Sequence, residues 1–328
     1  MCQTRQNHFM KLVYIASLLL LFVCPSFSQT RNFANEFGFR SDNDAYLAYG
    51  QDRYYTNGLF ITFRHAMKAP AAGSAVVKKV WEAEAGQYMY NAQSGYIPDI
   101  SFVDRPFAAY LYGGFKFNWF LQNEQIFQVS LNAGTIGPAA LGKDAQKLLH
   151  SVVGFYEVNG WQYQVKNEAG LNAGFDYTRL LFRPSSSDID LSFSGYATAG
   201  NTFSGAGAGI VFRAGKINQL FQSVMTNSRI SGNTRDSIPQ KELFFFAKPS
   251  IHFIAYDATI QGGMFRDDKG PVTFTPNRLA FSQELGVKYA VQRWTLNFSV
   301  IFRTKEIKTQ VHAHQYGSAA IFYRFGAK

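Results

Sequence analysis

Trp294-Thr295-Leu296-Asn297-Phe298-Ser299-Val300-Ile301-Phe302 changes character at nearly every step. Trp294, Leu296, Phe298, Val300 and Phe302 share one face; Thr295, Asn297 and Ser299 take the other. A two-residue period marks a strand with two unlike faces. The pattern recurs from Phe107 to Trp119, where Phe107, Leu111, Phe115, Phe117 and Trp119 oppose Lys116 and Asn118. It returns in Phe127-Gln128-Val129-Ser130-Leu131-Asn132. It returns again near Tyr316–Phe325, where Ile321, Tyr323 and Phe325 oppose Arg324. An apolar face with aromatic ends suits lipid, and a polar face suits a lumen.

Outward from these runs, twelve segments read as strands: 33–42, 57–66, 80–91, 105–118, 125–135, 166–178, 189–200, 203–213, 243–256, 276–290, 293–304 and 316–325. Ten residues cross a bilayer when tilted. An even number returns the chain to the side where it entered, and closure removes the edge that lipid cannot satisfy. The expected fold is therefore all-β, a twelve-stranded antiparallel transmembrane β-barrel with a short helix in an extracellular loop. A soluble β-sandwich is the alternative architecture, but it explains the aromatic strand ends less well.

The N-terminus fits export. Arg5 and Lys11 precede or open the apolar run Leu12 to Val23, and Ser26-Phe27-Ser28 offers small residues for cleavage. Residues 1–28 read as a signal peptide and 29–328 as one barrel domain. Cys24 raises lipoprotein processing as an alternative, which Val23 before it disfavours. Both cysteines, Cys2 and Cys24, fall in the leader, so no disulfide is expected in the mature chain. Loss of Arg5 and Lys11 leaves 30 basic residues against 22 acidic ones. That balance suits anionic partners. Export excludes nucleic acid, and outer-membrane lipid remains. A monomer is expected.

With the N-terminus in the periplasm, the loops that could hold chemistry are the outer ones. The first follows Ser41-Asp42-Asn43-Asp44 and runs to Asp52-Arg53-Tyr54-Tyr55-Thr56-Asn57-Gly58. It is rich in carboxylate, amide and hydroxyl oxygens, which hard cations take as ligands. Its plainer reading is a polar hairpin loop. A regular strand would turn Asp42 and Asp44 one way and Asn43 the other, so one site using both Asn43 and Asp44 requires a turn there. In loop 136–165, Lys143 to Val153 has helical spacing and Gly154 is a stop. Gln146 and His150 lie four apart and share a face with Lys143 and Lys147, while Ala145, Leu148, Leu149 and Val152 could pack against the protein. His150 is a candidate general base because imidazole titrates near neutrality; a solvated helix histidine is the plainer reading. Arg105 could bind phosphate or carboxylate. His312 and His314 lack a third fixed ligand. In the inner turn 214–242, the Ser/Asn/Arg-rich part, Gln222 to Asp236, reads as a flexible segment.

These pieces, in this order, resemble the outer-membrane lipid A 3′-O-deacylases of the LpxR type. The matching stations are Asn43-Asp44, Tyr55-Thr56-Asn57-Gly58, Asp104-Arg105-Pro106-Phe107-Ala108, Gly137-Pro138, Gln146 with His150, Gly160-Trp161 with Gln164, and Arg303-Thr304-Lys305-Glu306 before Tyr316-Gly317-Ser318. The resemblance implies a calcium-dependent ester hydrolase that releases the 3′-linked acyloxyacyl chain from lipid A of lipopolysaccharide. It implies His150 as the base, with Asn43, Asp44, Thr56 and Gln146 completing the catalytic set. Asn43 and Asp44 are implied as calcium ligands. Arg105, Lys143 and Lys147 are expected to bind substrate. Two features depart from the pattern. Loop 92–104 has no Lys or Arg, and Tyr156 stands where a relative has an acidic residue, with Glu157 beside it. Competing functions are another outer-membrane phospholipid esterase or acyltransferase, and a non-enzymatic pore or adhesin.

Overall fold

In a computed structural model, residues 32–47, 52–68, 71, 73–233 and 238–327 are described; the expected leader, 1–28, lies outside them. The alternating segments form β1 (Phe33–Asn43), β2 (Tyr55–Ala66), β3 (Val76–Tyr90), β4 (Ala108–Leu121), β5 (Gln125–Ile136) and β6 (Glu168–Phe182). They continue as β7 (Ile189–Gly200), β8 (Phe203–Lys216), β9 (Lys241–Asp257), β10 (Leu279–Val291), β11 (Trp294–Arg303) and β12 (His314–Ala327). Each strand pairs antiparallel with its neighbours, and β1 closes on β12 from Phe33↔Ala327 to Asn43↔Gly317. The register puts Phe33 and Ala327 at one rim. Trp294, Leu296, Phe298 and Phe302 are exposed on the outer wall, while Thr295 and Ser299 are buried inside. The sandwich alternative is thereby set aside: the apolar face meets no second sheet.

The inward residues of β3 trace the lumen in order. Lys78 and Val80 lie at the inner end, Glu82 and Glu84 follow, and Tyr88 and Tyr90 stand at the outer end. The carboxylates join an ionic layer in which Arg64 Nη1 is 2.7 Å from Glu36 and Lys116 Nζ is 2.9 Å from Glu82. Arg64 also pairs with Glu82, and Arg324 with Glu36. Each buried charge needs such a partner to offset its lost hydration. Above, Tyr110 and Tyr112 stack at 5.1 Å between centroids, beside Tyr88 and Phe60.

The inner turn differs from its sequence reading. Its described part, 217–233, is packed rather than loose: Leu220, Val224 and Ile230 are buried with side chains of the barrel wall. Leu220 N–H donates to Glu124 at 2.6 Å, Val224 N–H to Glu242 at 2.8 Å and Ser231 N–H to the Phe33 carbonyl at 2.8 Å. Lys78 Nζ donates to the carbonyls of Phe221 and Ser228. The polar composition that suggested flexibility serves instead to satisfy backbone groups inside a polar lumen. Among the described residues, the lumen thus carries, from the inner end outward, this segment, the ion pairs and the tyrosines.

Candidate active site

At the outer rim one row of outward positions runs Asn43, Asn57, Met89 and Ala109 on neighbouring strands. The next row, toward the membrane, holds Leu59, Gln87 and Leu111. Loop 136–165 folds down over these rows on the lipid side of the wall. Its helix α1 (Gly142–Val153) packs through Ala145 and Leu149 with Met89, Ala109 and Trp161. Gln87 Nε2 donates to the Ala140 carbonyl, which fixes the loop to β3. Gly137 has φ 84°, and a Cβ there would come within 2.6 Å of the Lys166 backbone, so this turn requires glycine. Gly154 ends the helix in the left-handed region (φ 74°) and donates to the His150 carbonyl at 2.8 Å, the stop its sequence position suggested.

The buried face of α1 is the one that carries Gln146 and His150. Leu148 and Val152, expected to pack inward, are 64% and 76% exposed. The reason is the helix's position: it lies outside the barrel, so its far side looks toward lipid and an apolar residue there is not misplaced. Lys143 and Lys147 are exposed on the same helix.

The turn required at Asn43 is present. β1 ends there, and a 3-10 helix over Asp44–Leu47 begins. Asn43 Oδ1 accepts from Ala45 N–H at 2.6 Å, its Nδ2 donates to Asn57 Oδ1, and Asp44 swings under the loop. Asp44 Oδ2 accepts from Arg53 N–H at 2.7 Å. Thr56 Oγ1 lies 2.9 Å from Asp52 Oδ1 and 3.3 Å from Asp44 Oδ1. One hydroxyl proton cannot serve both carboxylates at once, and the shorter contact goes to Asp52.

Asp52 leads to His150. Its Oδ2 is 3.0 Å from His150 Nε2 and accepts from Tyr156 Oη at 2.5 Å. The Tyr156 backbone carbonyl lies 2.7 Å from His150 Nδ1. That carbonyl can only accept, so Nδ1 carries a proton and Nε2 is the atom free to exchange one. The Asp52–Nε2 contact is close but poorly aligned as a hydrogen bond, and buried Nε2 has no directed partner. Burial disfavours the imidazolium, yet the Asp52 carboxylate and the Tyr156 carbonyl raise the His150 pKa above its ordinary value. Burial would raise Asp52, but the close His150 ring and the hydrogen bond from Tyr156 hold it below the usual carboxylate range. Asp44 is pushed well above that range by burial and then by the charge on Asp52. Two buried carboxylates thus share the Thr56 hydroxyl, and one of them, Asp52, meets the histidine.

The resemblance placed Asn43, Asp44, Thr56, Gln146 and His150 in one site; Asp44, Thr56 and His150 are linked through Asp52, and Asn43 reaches them only through Asn57, whose Nδ2 lies 3.4 Å from Thr56 Oγ1. Gln146 is fully buried beside them on α1; its Oε1 accepts from Trp161 Nε1 at 2.8 Å, and its Nε2 has no partner. Arg105 does not reach this site. It is fully buried at the outer end of the lumen, with Nε 3.2 Å from Glu306, Nη2 donating to Thr259 at 3.0 Å and its guanidinium 4.1 Å from the Tyr90 ring centre. A guanidinium so occupied is a brace and not a substrate ligand, and Arg105 leaves the substrate set. Glu157, suggested as the stand-in acid, is exposed; Asp52 takes that place from the opposite loop. Asp52 and Asn91 were missed. Asp52 sits inside the oxygen-rich stretch, four residues before Thr56, which was the available signal. Asn91 is fully buried with both amide atoms unpaired, and a Cβ on Gly95 would lie 3.2 Å from its Nδ2 and 2.5 Å from Tyr156 Oη. Among the described residues, no three His, Cys, Asp or Glu side chains are grouped to hold a metal.

A family model described as "Outer membrane protein LpxR" matches residues 13–325. Among solved structures, LpxR from Salmonella typhimurium superposes with a TM-score of 0.69 at 20% identity, covering 88% of this chain and 100% of that one. The beta domain of the Bordetella autotransporter BrkA gives 0.48 at 9% identity, covering 90% and 100%. The KdgM porin in complex with disordered oligogalacturonate gives 0.37 at 5% identity, covering 89% and 99%. No curated protein matches the sequence.

Proposed function

The chain belongs to the LpxR family of outer-membrane lipid A 3′-O-deacylases, and we propose that it hydrolyses its ester with His150 as general base and Asp52 as the carboxylate that holds the imidazolium. The observation that carries this reading is where the cluster lies. His150 stands on α1, which lies against outward-facing Met89 and Ala109 of the wall, and Asp52, Thr56 and Asp44 are joined to it by contacts. A lipid ester can arrive there from the outer leaflet without leaving the membrane. A pore would have no use for residues converging on that face.

His150 Nε2 takes a proton from water as its oxygen bonds to the ester carbonyl carbon. The developing imidazolium is balanced by Asp52, which Thr56 and Tyr156 keep ionised and in place. Collapse of the tetrahedral species breaks the C–O bond to the sugar, and the proton on Nε2 passes to the departing 3′ oxygen. The products are a free acyloxyacyl acid and a sugar hydroxyl. Gln146 Nε2, buried and unpaired, is available to donate to the carbonyl oxygen. Lys143 and Lys147 stand on the exposed side of α1, where lipid A phosphates would lie.

The donor chemistry fits a hard cation: Asp44 is a buried carboxylate with its charge uncompensated, and Asn43 Oδ1 lies one residue away with a second lone pair. Asp44 and Asn43 would hold calcium. The ion would supply polarisation of the ester carbonyl. We expect purified protein in lipid A micelles to release the acyloxyacyl acid with calcium present and to stop in excess chelator, recovering on calcium addition. Asp44→Asn should remain folded and lose calcium binding measured by calorimetry. Full activity of Asp44→Asn in chelator would exclude the calcium part of this reading.

A further inference from the structure

The wall nearly opposite the active site carries a second lipid-facing feature. Between the outer ends of β9, β10 and β11 lies a groove of about 580 Å³ whose floor is Ile251, Leu279 and Phe281. These are 60%, 68% and 44% exposed on the outer wall, so acyl chains must cover them. The upper edge is polar and ordered. Phe281 N–H donates to Thr304 Oγ1 at 2.9 Å, and Asn277 Nδ2 donates to the Lys305 carbonyl at 2.8 Å. Arg278 lies beside Leu279, and its Nη1 donates to the carbonyls of Ile254 and Ala255, which fixes the guanidinium at the rim.

Lys305 and Arg278 are both exposed, and among the described residues neither meets a carboxylate. Lys305 lines the apolar groove and Arg278 adjoins it, both exposed at the outer end of the wall. Solvated rim cations would need no groove, and ordinary annular contact would need no cations. We propose that this groove is a second, non-catalytic binding site for a phosphorylated lipid of the outer leaflet, with one acyl chain along Ile251, Leu279 and Phe281 and its phosphate at Arg278 and Lys305. The lipid is of the same anionic, acylated-sugar class that the active site meets, but the site shares no residue with it. Its occupancy does not depend on catalysis.

The test uses full-length protein carrying His150→Ala, so that no lipid is turned over. Native mass spectrometry from detergent micelles titrates diphosphorylated lipid A, its dephosphorylated form and phosphatidylethanolamine. Reversing two surface cations with Arg278→Glu and Lys305→Glu should weaken retention of one phosphorylated lipid by about thirtyfold or more. Retention of the dephosphorylated and zwitterionic lipids should not change. The milder pair Arg278→Gln and Lys305→Gln should fall between. The same charge reversal with His150 restored should deacylate micellar lipid A at the unmodified rate, since neither residue touches the catalytic cluster. Equal retention of lipid A by both proteins would overturn the proposal, as would an equal loss of all three lipids.

Discussion

Replacing His150 with alanine is expected to slow ester hydrolysis by about 10²–10⁴-fold, the span that a positioned base contributes. The fold should tolerate the change. α1 is held to the barrel by Ala145, Leu149 and Trp161 and by the Gln87–Ala140 hydrogen bond, none of which involves the imidazole. The strands are also closed without it. Initial rates on micellar lipid A, with circular dichroism to verify the barrel, make the check. A rate within a few-fold of the unmodified protein would remove His150 from the chemistry. Loss of binding without loss of turnover at saturation would assign it to substrate affinity instead.

The second large effect is expected at Asp52. Asn at this position keeps the size and can still accept from Thr56, but it removes the charge that the imidazolium needs. A hydrogen bond to a charged group is worth about 1.5–3 kcal/mol, so the rate should fall by about 10- to 100-fold. The pH profile should move as well, and its sign is fixed. Base catalysis needs neutral His150, and the Asp52 carboxylate and Tyr156 carbonyl raise its pKa. Activity in the unmodified protein should therefore rise with pH through a value above the ordinary histidine range. In Asp52→Asn that rise should shift to lower pH, because the neutral ring is no longer disfavoured. Tyr156→Phe leaves the Asp52 charge and the Tyr156 carbonyl in place, so there the rise should not move to lower pH. A profile that stays put in Asp52→Asn would mean that this carboxylate does not face the catalytic imidazole in solution.

The barrel was legible because its strands obey one rule. Lipid outside and a polar lumen inside impose a two-residue period, and Trp294 to Phe302 displays it with little interference. The strands erred mainly at their ends, as at β3, which begins at Val76 rather than 80. Local pattern there says little about how far the ladder continues. The candidate site was assembled by the family resemblance; by themselves the oxygen-rich loop and the helix histidine read as a polar hairpin loop and a solvated side chain. What periodicity could not reveal was the side of the wall. Leu148 and Val152 have the spacing of a packed stripe, yet they point outward because α1 turns Ala145 and Leu149, with Gln146 and His150, toward the wall. Arg105 misled for the opposite reason: a rim arginine and a buried brace look alike until Glu306, two hundred residues away, is brought beside it. The Asp52–His150 pair joins two loops whose meeting depends on the whole sheet. The segment 217–233 read as loose because its serines and asparagine resemble a linker; inside a lumen the same groups satisfy Arg213, Glu242 and one another.

The decisive experiment is mass spectrometry of lipid A from cells that make the intact protein, its His150→Ala form or neither. Loss of the mass of one acyloxyacyl unit, located at the 3′ position by tandem fragmentation, is expected only in cells with the intact protein. Identical lipid A in all three, with the barrel folded in the outer membrane and calcium supplied, would contradict lipid A deacylation by this chain.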